Sequence, residues 1–333
     1  MYIDHGDTEA RRNTRETTPS ESPCLRGRYR PTTHYLYCTA LVLAMLSFAS
    51  ATENGGSVYP VGVETVMTGV QPRPGETALY EYTCFYMANE FDNSKGKSAA
   101  PEFKLRVFAN ALKVTHNWGI HFLGGTIESQ IGVPFVYEQL RVQPGKFSQF
   151  GLTNVNIIPV SVTYQKDDLH WYYEADMFTS GGGYSPAHVV NIGQHNQAIA
   201  PSAGFTYLPR QGQVELSSRF TYFFNGYDQA THYHSGNEFT WEYNVDYEIS
   251  KKAAAGFNGF LYQQTTDDRW KGAIFQDGFR GRDLALGPQL RAPLGKRGGF
   301  AVKYYRDTLV ENKPRGNAFW FQMSVPIGRS DRQ

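Results

Sequence analysis

One stretch of the chain alternates between apolar and polar residues without exception. Over residues 238–249 an apolar side chain occupies every second position, and acidic or other polar side chains occupy the positions between. Successive side chains of a β-strand point to opposite faces, so the pattern predicts one long strand with an apolar face and an acidic face. Such a segment spans roughly 40 Å at a rise of about 3.3 Å per residue. That is long for a globular strand of about 5–6 residues, and it suits a tilted strand that crosses a bilayer.

Other segments repeat this alternation less perfectly along most of the chain. Short turn signals at 209–212, 250–252 and 295–298 separate some of them, and longer links at 89–102, 181–195, 225–237, 265–282 and 308–316 separate others. The predicted strands are residues 79–91, 103–113, 122–137, 155–164, 169–178, 196–207, 214–224, 238–249, 254–264, 284–293, 300–307 and 318–327. Closed bacterial barrels have an even number of strands and alternate short turns with long loops. We therefore predict an all-β protein, a transmembrane antiparallel up-and-down β-barrel of about 12 strands, within a range of about 10–14.

A soluble β-sandwich is the alternative to a membrane barrel. In a sandwich the apolar faces would pack into a protein core, and the strands are usually shorter. The full chain contains 22 Tyr and 22 Phe, and aromatic girdles at the two membrane interfaces account for such abundance better than a crowded core does. No apolar run of the chain reaches about 18 residues, so the sequence predicts no helical membrane span.

The beginning of the chain resembles an export signal. Residues 36–51 form a short apolar run that follows Arg26, Arg28 and Arg30 and ends in Ala49-Ser50-Ala51. A basic region, an apolar core and a small-residue end predict a secretory signal peptide cleaved after Ala51. A buried helix or a membrane anchor is the alternative, but the run is shorter than the ~20 residues an anchor needs. Residues 1–35 are polar without apolar periodicity, which predicts a disordered extension or a start-site artefact.

Charge and cysteine content narrow the class further. The chain carries 32 basic and 31 acidic side chains, so its net charge is +1. No clustered basic surface is evident, and we predict no nucleic-acid partner. Two of the three cysteines fall in residues 1–51, which leaves Cys84 and no internal disulfide. An exported chain without disulfides fits a bacterial envelope protein.

Charged residues on the polar faces of the predicted strands are candidates to line the barrel lumen. They form either a charged constriction that selects what passes or a set of ion pairs that fills a narrow interior. The lumen-lining candidates are Glu238, Glu242, Asp246, Glu248, Glu174, Asp176, Lys104, Arg106, Arg219 and Arg291, with Lys303 as a further basic residue. Phe108, Tyr82 and Tyr262 are candidates for an apolar patch in the same lumen.

The glycine-rich segment 52–75 lacks a strand pattern. It is predicted either to fold into the lumen as a plug, with Tyr59 and Glu64 touching the wall, or to form a flexible periplasmic tail. The barrel itself is predicted over residues 76–327 and a polar tail over 328–333.

Other polar clusters predict little chemistry. His232 and His234 lack a third ligand at useful spacing, so we predict no metal. Asp267 and Asp268 lack the remaining oxygen ligands of a calcium loop. No Gly-x-Ser-x-Gly and no phosphate-binding loop occur. A Ser/His pair such as Ser235 with His234 is a candidate for hydrolysis, and lumen-facing polar residues are the commoner explanation. We predict no cofactor and no enzymatic activity.

Several motifs resemble, in order and spacing, the family described as proteins of the meta-pathway of phenol degradation. They are residues 55–64 (GGSVYPVGVE), 191–193 (NIG), 235–239 (SGNEF), 262–268 (YQQTTDD) and 286–288 (LGP), together with the closing strand. The resemblance covers about residues 53–327. It departs at the end, where Val325-Pro326-Ile327 is followed by a polar tail, whereas relatives end near a Pro-Phe.

The resemblance implies a Gram-negative outer-membrane barrel for passive uptake of small hydrophobic or aromatic compounds, linked to aromatic degradation. The implied partners are outer-membrane lipids, the solutes themselves and the barrel-assembly machinery, with the oligomeric state open. An outer-membrane lipid-modifying enzyme and a structural or adhesive barrel are the alternatives.

Overall fold

The described strands close into a ring. A computed structural model of the chain describes residues 56–143 and 145–327. Its large strands are β1 (Thr77–Phe91), β2 (Lys104–Phe122), β3 (Gly125–Val142), β4 (Gly145–Leu152), β5 (Asn156–Lys166), β6 (Leu169–Phe178), β7 (Ala198–Tyr207), β8 (Val214–Asn225), β11 (Glu238–Ser250), β12 (Ala253–Gln264), β15 (Arg282–Leu294), β16 (Gly298–Glu311) and β17 (Pro314–Ile327). Each pairs antiparallel with its neighbours, and β1 pairs with both β2 and β17. The predicted 12-strand antiparallel barrel is confirmed.

Two strands share one position in this ring. The first half of β3 pairs with β5, from Thr126 to Gly132, and its second half pairs with β4, from Phe135 to Val142. β4 and β5 are therefore two pieces of one barrel strand, of which the alternation predicted only the second. Pro159 lies in β5 where the pairing with β6 shifts register between Ile157 and Ser161. Proline has no N–H for the ladder, which accounts for the irregularity.

Connections alternate in length around the ring, as predicted, with two exceptions, the short links between β3 and β4 and between β16 and β17. Five short turns lie at the end of the barrel that also holds the start of β1 and the end of β17; we call this the turn end, and the opposite end the loop end. Short turns face the periplasm and long loops the exterior in such barrels. The long link predicted at 308–316 is wrong, because β16 continues to Glu311 and β17 begins at Pro314. Asn312, with a φ of 50°, makes this tight turn.

The loop end carries four short strands of its own. They are β9 (Tyr227–Asp228), β10 (Tyr233–His234), β13 (Arg269–Trp270) and β14 (Ala273–Ile274), and they pair as one small sheet. A single 3₁₀ turn follows at Gln276–Gly278. No helix within residues 56–143 and 145–327 is long and apolar enough to cross a membrane.

Side chains separate the two faces of the barrel wall. On β11 the odd-numbered positions point outward, where Val245, Tyr247 and Ile249 are at least half exposed. The even-numbered positions Glu238 and Glu242 are buried in the interior. This is the reverse of a soluble fold, because the outer face of a membrane barrel meets lipid and its interior is polar.

Candidate functional site: the barrel lumen

The chain before β1 lies inside the barrel. Residues 56–76 form an N-terminal segment that runs from the loop end, where Ser57 Oγ donates to Glu238 at 2.6 Å, to the turn end, where Asn117 Nδ2 donates to Pro72 O at 3.0 Å. Glycines and prolines prevent this segment from forming a strand, so its backbone groups need other partners. Side chains of the barrel wall supply them.

Glu242 is the main hydrogen-bond acceptor for the part of the N-terminal segment nearer the loop end. Its Oε2 accepts the Tyr59 hydroxyl at 2.8 Å, and its Oε1 accepts the backbone N–H of Gly62 at 2.8 Å and of Glu64 at 3.2 Å. Lys303 Nζ donates to the carbonyls of Gly62 and Val63 at 2.9 and 2.8 Å. One carboxylate and one ammonium group thus satisfy a non-regular piece of backbone.

Glycine is required where the segment touches the wall. Gly62 has a φ of 94°, and a Cβ there would lie 2.9 Å from ring carbons of both Phe260 and Tyr305. Gly69 is packed still closer, because a Cβ would lie 2.4 Å from the backbone nitrogen of Thr206. The N–H of Gly69 donates to Thr206 Oγ1 at 2.9 Å.

A central ion cluster surrounds Glu64. Lys113 and Arg219 both form ion pairs with the Glu64 carboxylate. Arg219, whose side chain is 2% exposed, also reaches Glu174 at 3.3 Å and Asp176 at 2.8 Å. Buried charges of this kind remain ionised only when they are paired and hydrogen-bonded. The cluster therefore ties the N-terminal segment to β2, β6 and β8 at once.

A second group of charges lies nearer the turn end. Arg291 Nη2 lies 2.7 Å from Asp246 Oδ1, and Arg291 Nε lies 3.0 Å from Glu215 Oε2. Glu215 also accepts the backbone N–H of Met67 at 2.6 Å. The part of the N-terminal segment nearer the turn end, which we call its lower part, is thereby joined to β8, β11 and β15.

The segment divides the lumen into two chambers of similar size. The loop-end chamber has a volume of about 520 Å³, and its walls include Phe103, Leu105, Leu140, Phe178 and Ile192. The turn-end chamber also has a volume of about 520 Å³. Charged residues such as Arg73, Glu248, Lys251 and Arg297 line it. Glu64, Tyr82 and Lys113 border both chambers, so the central ion cluster lies in the partition between them.

Most of the sequence-predicted residues meet in this interior. Glu238, Glu242, Asp246, Glu174, Asp176, Arg219 and Arg291 lie in the lumen, Glu248 lines the turn-end chamber, and Tyr59 and Glu64 lie on the N-terminal segment itself. Lys303 is fully buried beneath that segment. Whether these residues select a solute or only fill the interior stays a prediction.

Lys104 and Arg106 were placed on the wrong face. Leu105 and Lys113 of β2 line the loop-end chamber, and the pairing of β2 with β1 has no bulge from Leu105 to His116. The even-numbered residues therefore point outward, and Lys104 is exposed while Arg106 Nη1 donates to the Ala88 carbonyl at 2.9 Å. The apolar face of β2, which the alternation predicts to face lipid, lines an apolar chamber instead.

The same inversion affects the predicted apolar patch. Tyr82 and Tyr262 are buried inside, whereas Phe108 is 37% exposed on the outer face and packs against Phe85 with ring centroids 5.0 Å apart. Sequence reasoning also missed Lys113, Glu215 and Glu138. Each of the three lies at an end of a predicted strand or within one residue of it, where the alternation is too short to assign a face.

The remaining polar clusters do not assemble a reactive centre in the described part of the chain. His234 Nε2 lies 2.9 Å from the Asn225 carbonyl oxygen, and no hydrogen bond joins its ring to Ser235 within residues 56–143 and 145–327. Asp268 accepts hydrogen bonds from the Tyr233 hydroxyl, the Gly236 N–H and the Gln264 amide. Over the same ranges no group of three or more His, Cys, Asp or Glu side chains is placed to hold a metal ion.

This fold, with its polar and filled lumen, defines an outer-membrane β-barrel. The model of the family "Putative MetA-pathway of phenol degradation" matches residues 88–323, and the chain belongs to that family. The resemblance predicted from the motifs is confirmed, and so is the outer-membrane location. No curated protein matches the chain.

The fold is shared with a solved outer membrane channel. The chain is similar to the COG4313 outer membrane channel from Pseudomonas putida F1, at 13% identity and a TM-score of 0.68, over 81% of this chain and 100% of that one. It is also similar to the NanC porin, at 12% identity and a TM-score of 0.41, over 74% of this chain and 98% of that one. The KdgM porin is similar at 10% identity and a TM-score of 0.39, over 75% of this chain and 99% of that one.

Proposed function

We propose that this channel-type barrel is a route for passive uptake of small hydrophobic or aromatic compounds, linked to the degradation of aromatic compounds. The loop-end chamber carries the proposal, because it places an apolar cavity of about 520 Å³ inside a lumen that also holds buried ion pairs. Small-molecule sites have volumes of about 300–1,000 Å³ and mainly apolar walls. Membership of a family named for phenol degradation supports the solute class.

Passage through the barrel requires the N-terminal segment to move. The partition between the chambers is made by Glu64, Tyr82 and Lys113, and the segment on either side of Glu64 is held by hydrogen bonds to the wall. A solute from the loop-end chamber therefore reaches the turn-end chamber only when the contacts of Glu64 with Lys113 and Arg219 are displaced. In our proposal the opening and closing of this partition sets the rate of solute passage. The passage is passive and uses no energy source.

The proposal treats the protein as a channel without catalytic activity. Ser235, a candidate nucleophile, is 4% exposed and makes no hydrogen bond to His234 among the described residues. Interaction with outer-membrane lipids follows from the barrel itself. The same proposal includes recognition by the barrel-assembly machinery. It also includes the predicted export signal and the polar tail, which both lie outside the described residues.

Solute flux into vesicles tests this function. Toluene uptake is measured in proteoliposomes that contain wild-type protein, Ala111→Trp or Leu112→Trp, and in protein-free vesicles. Ala111 lines the loop-end chamber, whereas its neighbour Leu112 is 46% exposed on the outer face. Wild type and Leu112→Trp are expected to accelerate uptake over lipid alone, and Ala111→Trp to lose most of that acceleration because the indole fills the chamber.

Two results would count against the proposal. If wild type adds nothing to the uptake seen in protein-free vesicles, the barrel is no route for such solutes. If phospholipid in the vesicles is hydrolysed in proportion to the protein present, the lipid-modifying alternative takes its place.

A further inference from the structure

The apolar wall of the loop-end chamber contains one charged side chain that has no partner among the described residues. Glu138 lies on β3 between Val136 and Leu140, and all three line the chamber. Its cross-strand neighbours are Val107 on β2 and Gln149 on β4. Among residues 56–143 and 145–327 no hydrogen bond or ion pair to the Glu138 carboxyl is formed.

The charged residues that share this chamber with Glu138 are already engaged. Lys113 and Glu64 pair with each other in the central ion cluster. Lys113 is the one basic residue lining the described part of the chamber, so Glu138 has no cation there to neutralise it. A carboxyl group in an apolar wall without a partner is unfavourable, so its presence there calls for an explanation such as a functional role.

A second polar atom in the wall has the same unused capacity. Gln194 lines the chamber and is 8% exposed, and its side-chain oxygen Oε1 is buried without a hydrogen-bond partner among the described residues. Its neighbour Asn154 is different, because Asn154 Oδ1 accepts the Gln194 N–H at 2.8 Å and Asn154 Nδ2 donates to the Gln194 carbonyl at 2.9 Å. Glu138 and Gln194 Oε1 are both acceptors. A donor group on a solute could satisfy either of these two acceptors.

We propose that Glu138 determines specificity for small hydrophobic solutes that carry a hydrogen-bond donor, a hydroxyl or an amine, over solutes that carry none or an acidic group. The solute ring lies among Leu105, Leu140 and Ile192, and its O–H or N–H donates to the Glu138 carboxylate. This inference rests on the proposed uptake function, since it assigns the solute class of the same chamber. It gives Glu138 a role in positioning the solute.

The test compares solutes that differ in their polar group. Binding to detergent-solubilised full-length protein and flux into proteoliposomes are measured for p-cresol, benzylamine, toluene and benzoate. The variants are Glu138→Leu, Glu138→Gln and the control Glu90→Gln, which removes an exposed carboxylate at the loop end of β1. Each variant is compared with wild type for one solute at a time, so that partition of the solute into detergent or lipid cancels.

Loss of a hydrogen bond to a charged group lowers affinity by about tenfold or more. We expect Glu138→Leu to lower the affinity for p-cresol and benzylamine by that factor. The affinity for toluene should stay within about twofold of the wild-type value. Glu138→Gln keeps an acceptor but no charge, so it is expected to retain part of the p-cresol binding, to lose benzylamine binding and to improve benzoate binding. Glu90→Gln is expected to match wild type for all four solutes.

The outcomes separate this inference from the function on which it rests. Glu138 has no such role if Glu138→Leu and Glu138→Gln leave the affinity for p-cresol and benzylamine unchanged. The same holds if they lower the affinity for toluene by an equal factor, and in both cases the uptake function still stands. If Glu138→Gln binds benzoate less tightly than wild type does, the inference is also overturned. If flux is absent for every solute, the uptake function fails, and the binding comparison alone decides whether Glu138 recognises a donor. Should Glu138→Leu fail to fold, Glu138→Gln gives the same decision.

Discussion

The Tyr59 hydroxyl donates to the carboxylate of Glu242 at 2.8 Å, and this contact joins residues that are 183 positions apart in the chain. Glu242 also accepts the N–H groups of Gly62 and Glu64 from the same segment. The acidic face that makes β11 conspicuous in the sequence thus binds the N-terminal segment. Its carboxylates replace the strand partners that this irregular piece of backbone lacks.

Replacement of Glu242 by alanine is expected to loosen the N-terminal segment. The change leaves the Tyr59 hydroxyl and the N–H groups of Gly62 and Glu64 without their acceptor in a buried site, at a cost of about 1–3 kcal/mol for each unsatisfied group. Single-channel conductance in planar bilayers should rise several-fold. Glu248→Gln is the control, because Glu248 lines the turn-end chamber without a side-chain bond to the segment. Equal conductance of wild type and Glu242→Ala would mean that the segment does not limit passage.

Lys113→Met is expected to destabilise the barrel. Removing one partner of a buried ion pair usually costs roughly 3–5 kcal/mol. The loss should be smaller here because Arg219 still faces Glu64. Urea unfolding from lipid vesicles measures the change, and the double variant Lys113→Met with Glu64→Gln should recover part of it because no buried carboxylate is then left with fewer partners. Additive losses in the two single variants would show that the two side chains are not coupled.

The sequence predicts the ring of strands well because each strand of a membrane barrel has two different environments. β6 begins and ends where the alternation places it, and β11 extends by one residue. The alternation also predicts which side of β11 faces the lumen, since lipid excludes Glu238 and Glu242.

The prediction fails where the lumen itself is apolar. On β2 the residues Leu105 and Ala109 line the loop-end chamber, so the rule that apolar side chains face lipid inverts the strand and places Lys104 and Arg106 inside. Long-range contacts are equally hidden, because nothing in the local pattern links Glu64 to Arg219 across 155 positions. The strands of the barrel are thus predictable from the sequence, but the contacts between its wall and the N-terminal segment are not.

Gly69→Ala is expected to displace the lower part of the N-terminal segment. The added Cβ would lie 2.4 Å from the backbone nitrogen of Thr206 and 2.7 Å from the His170 carbonyl oxygen, and neither backbone atom can move without distorting the wall. Limited proteolysis should then cleave the segment faster than in wild type. Gly132→Ala is the matched control, since its Cβ would meet nothing nearer than 3.7 Å. Equal protection of both variants would refute the close contact at Gly69.

The loop end should open more readily as the pH rises through about 6, because of Asp268. This carboxyl lies in the loop between β12 and β15, outside the membrane-spanning strands, and accepts the Tyr233 hydroxyl at 2.5 Å and the Gly236 N–H at 2.7 Å. Burial raises the pKa of Asp268 from 3.8 to about 6. Between these two values the closed loops bind more protons than the opened loops, so their stability falls as the pH increases.

Hydrogen exchange of the amides in residues 233–236, corrected for intrinsic rates, measures this opening. Wild type should exchange faster at pH 7.5 than at pH 5, and Asp268→Asn, which stays neutral and keeps an acceptor oxygen, should lose that pH dependence. Asp277→Asn removes an exposed acid of the same loop and should behave as wild type. Exchange that slows as the pH rises would show that the charged form of Asp268 is the one the closed loops favour, because the hydrogen bonds from Tyr233 and Gly236 would then outweigh its burial.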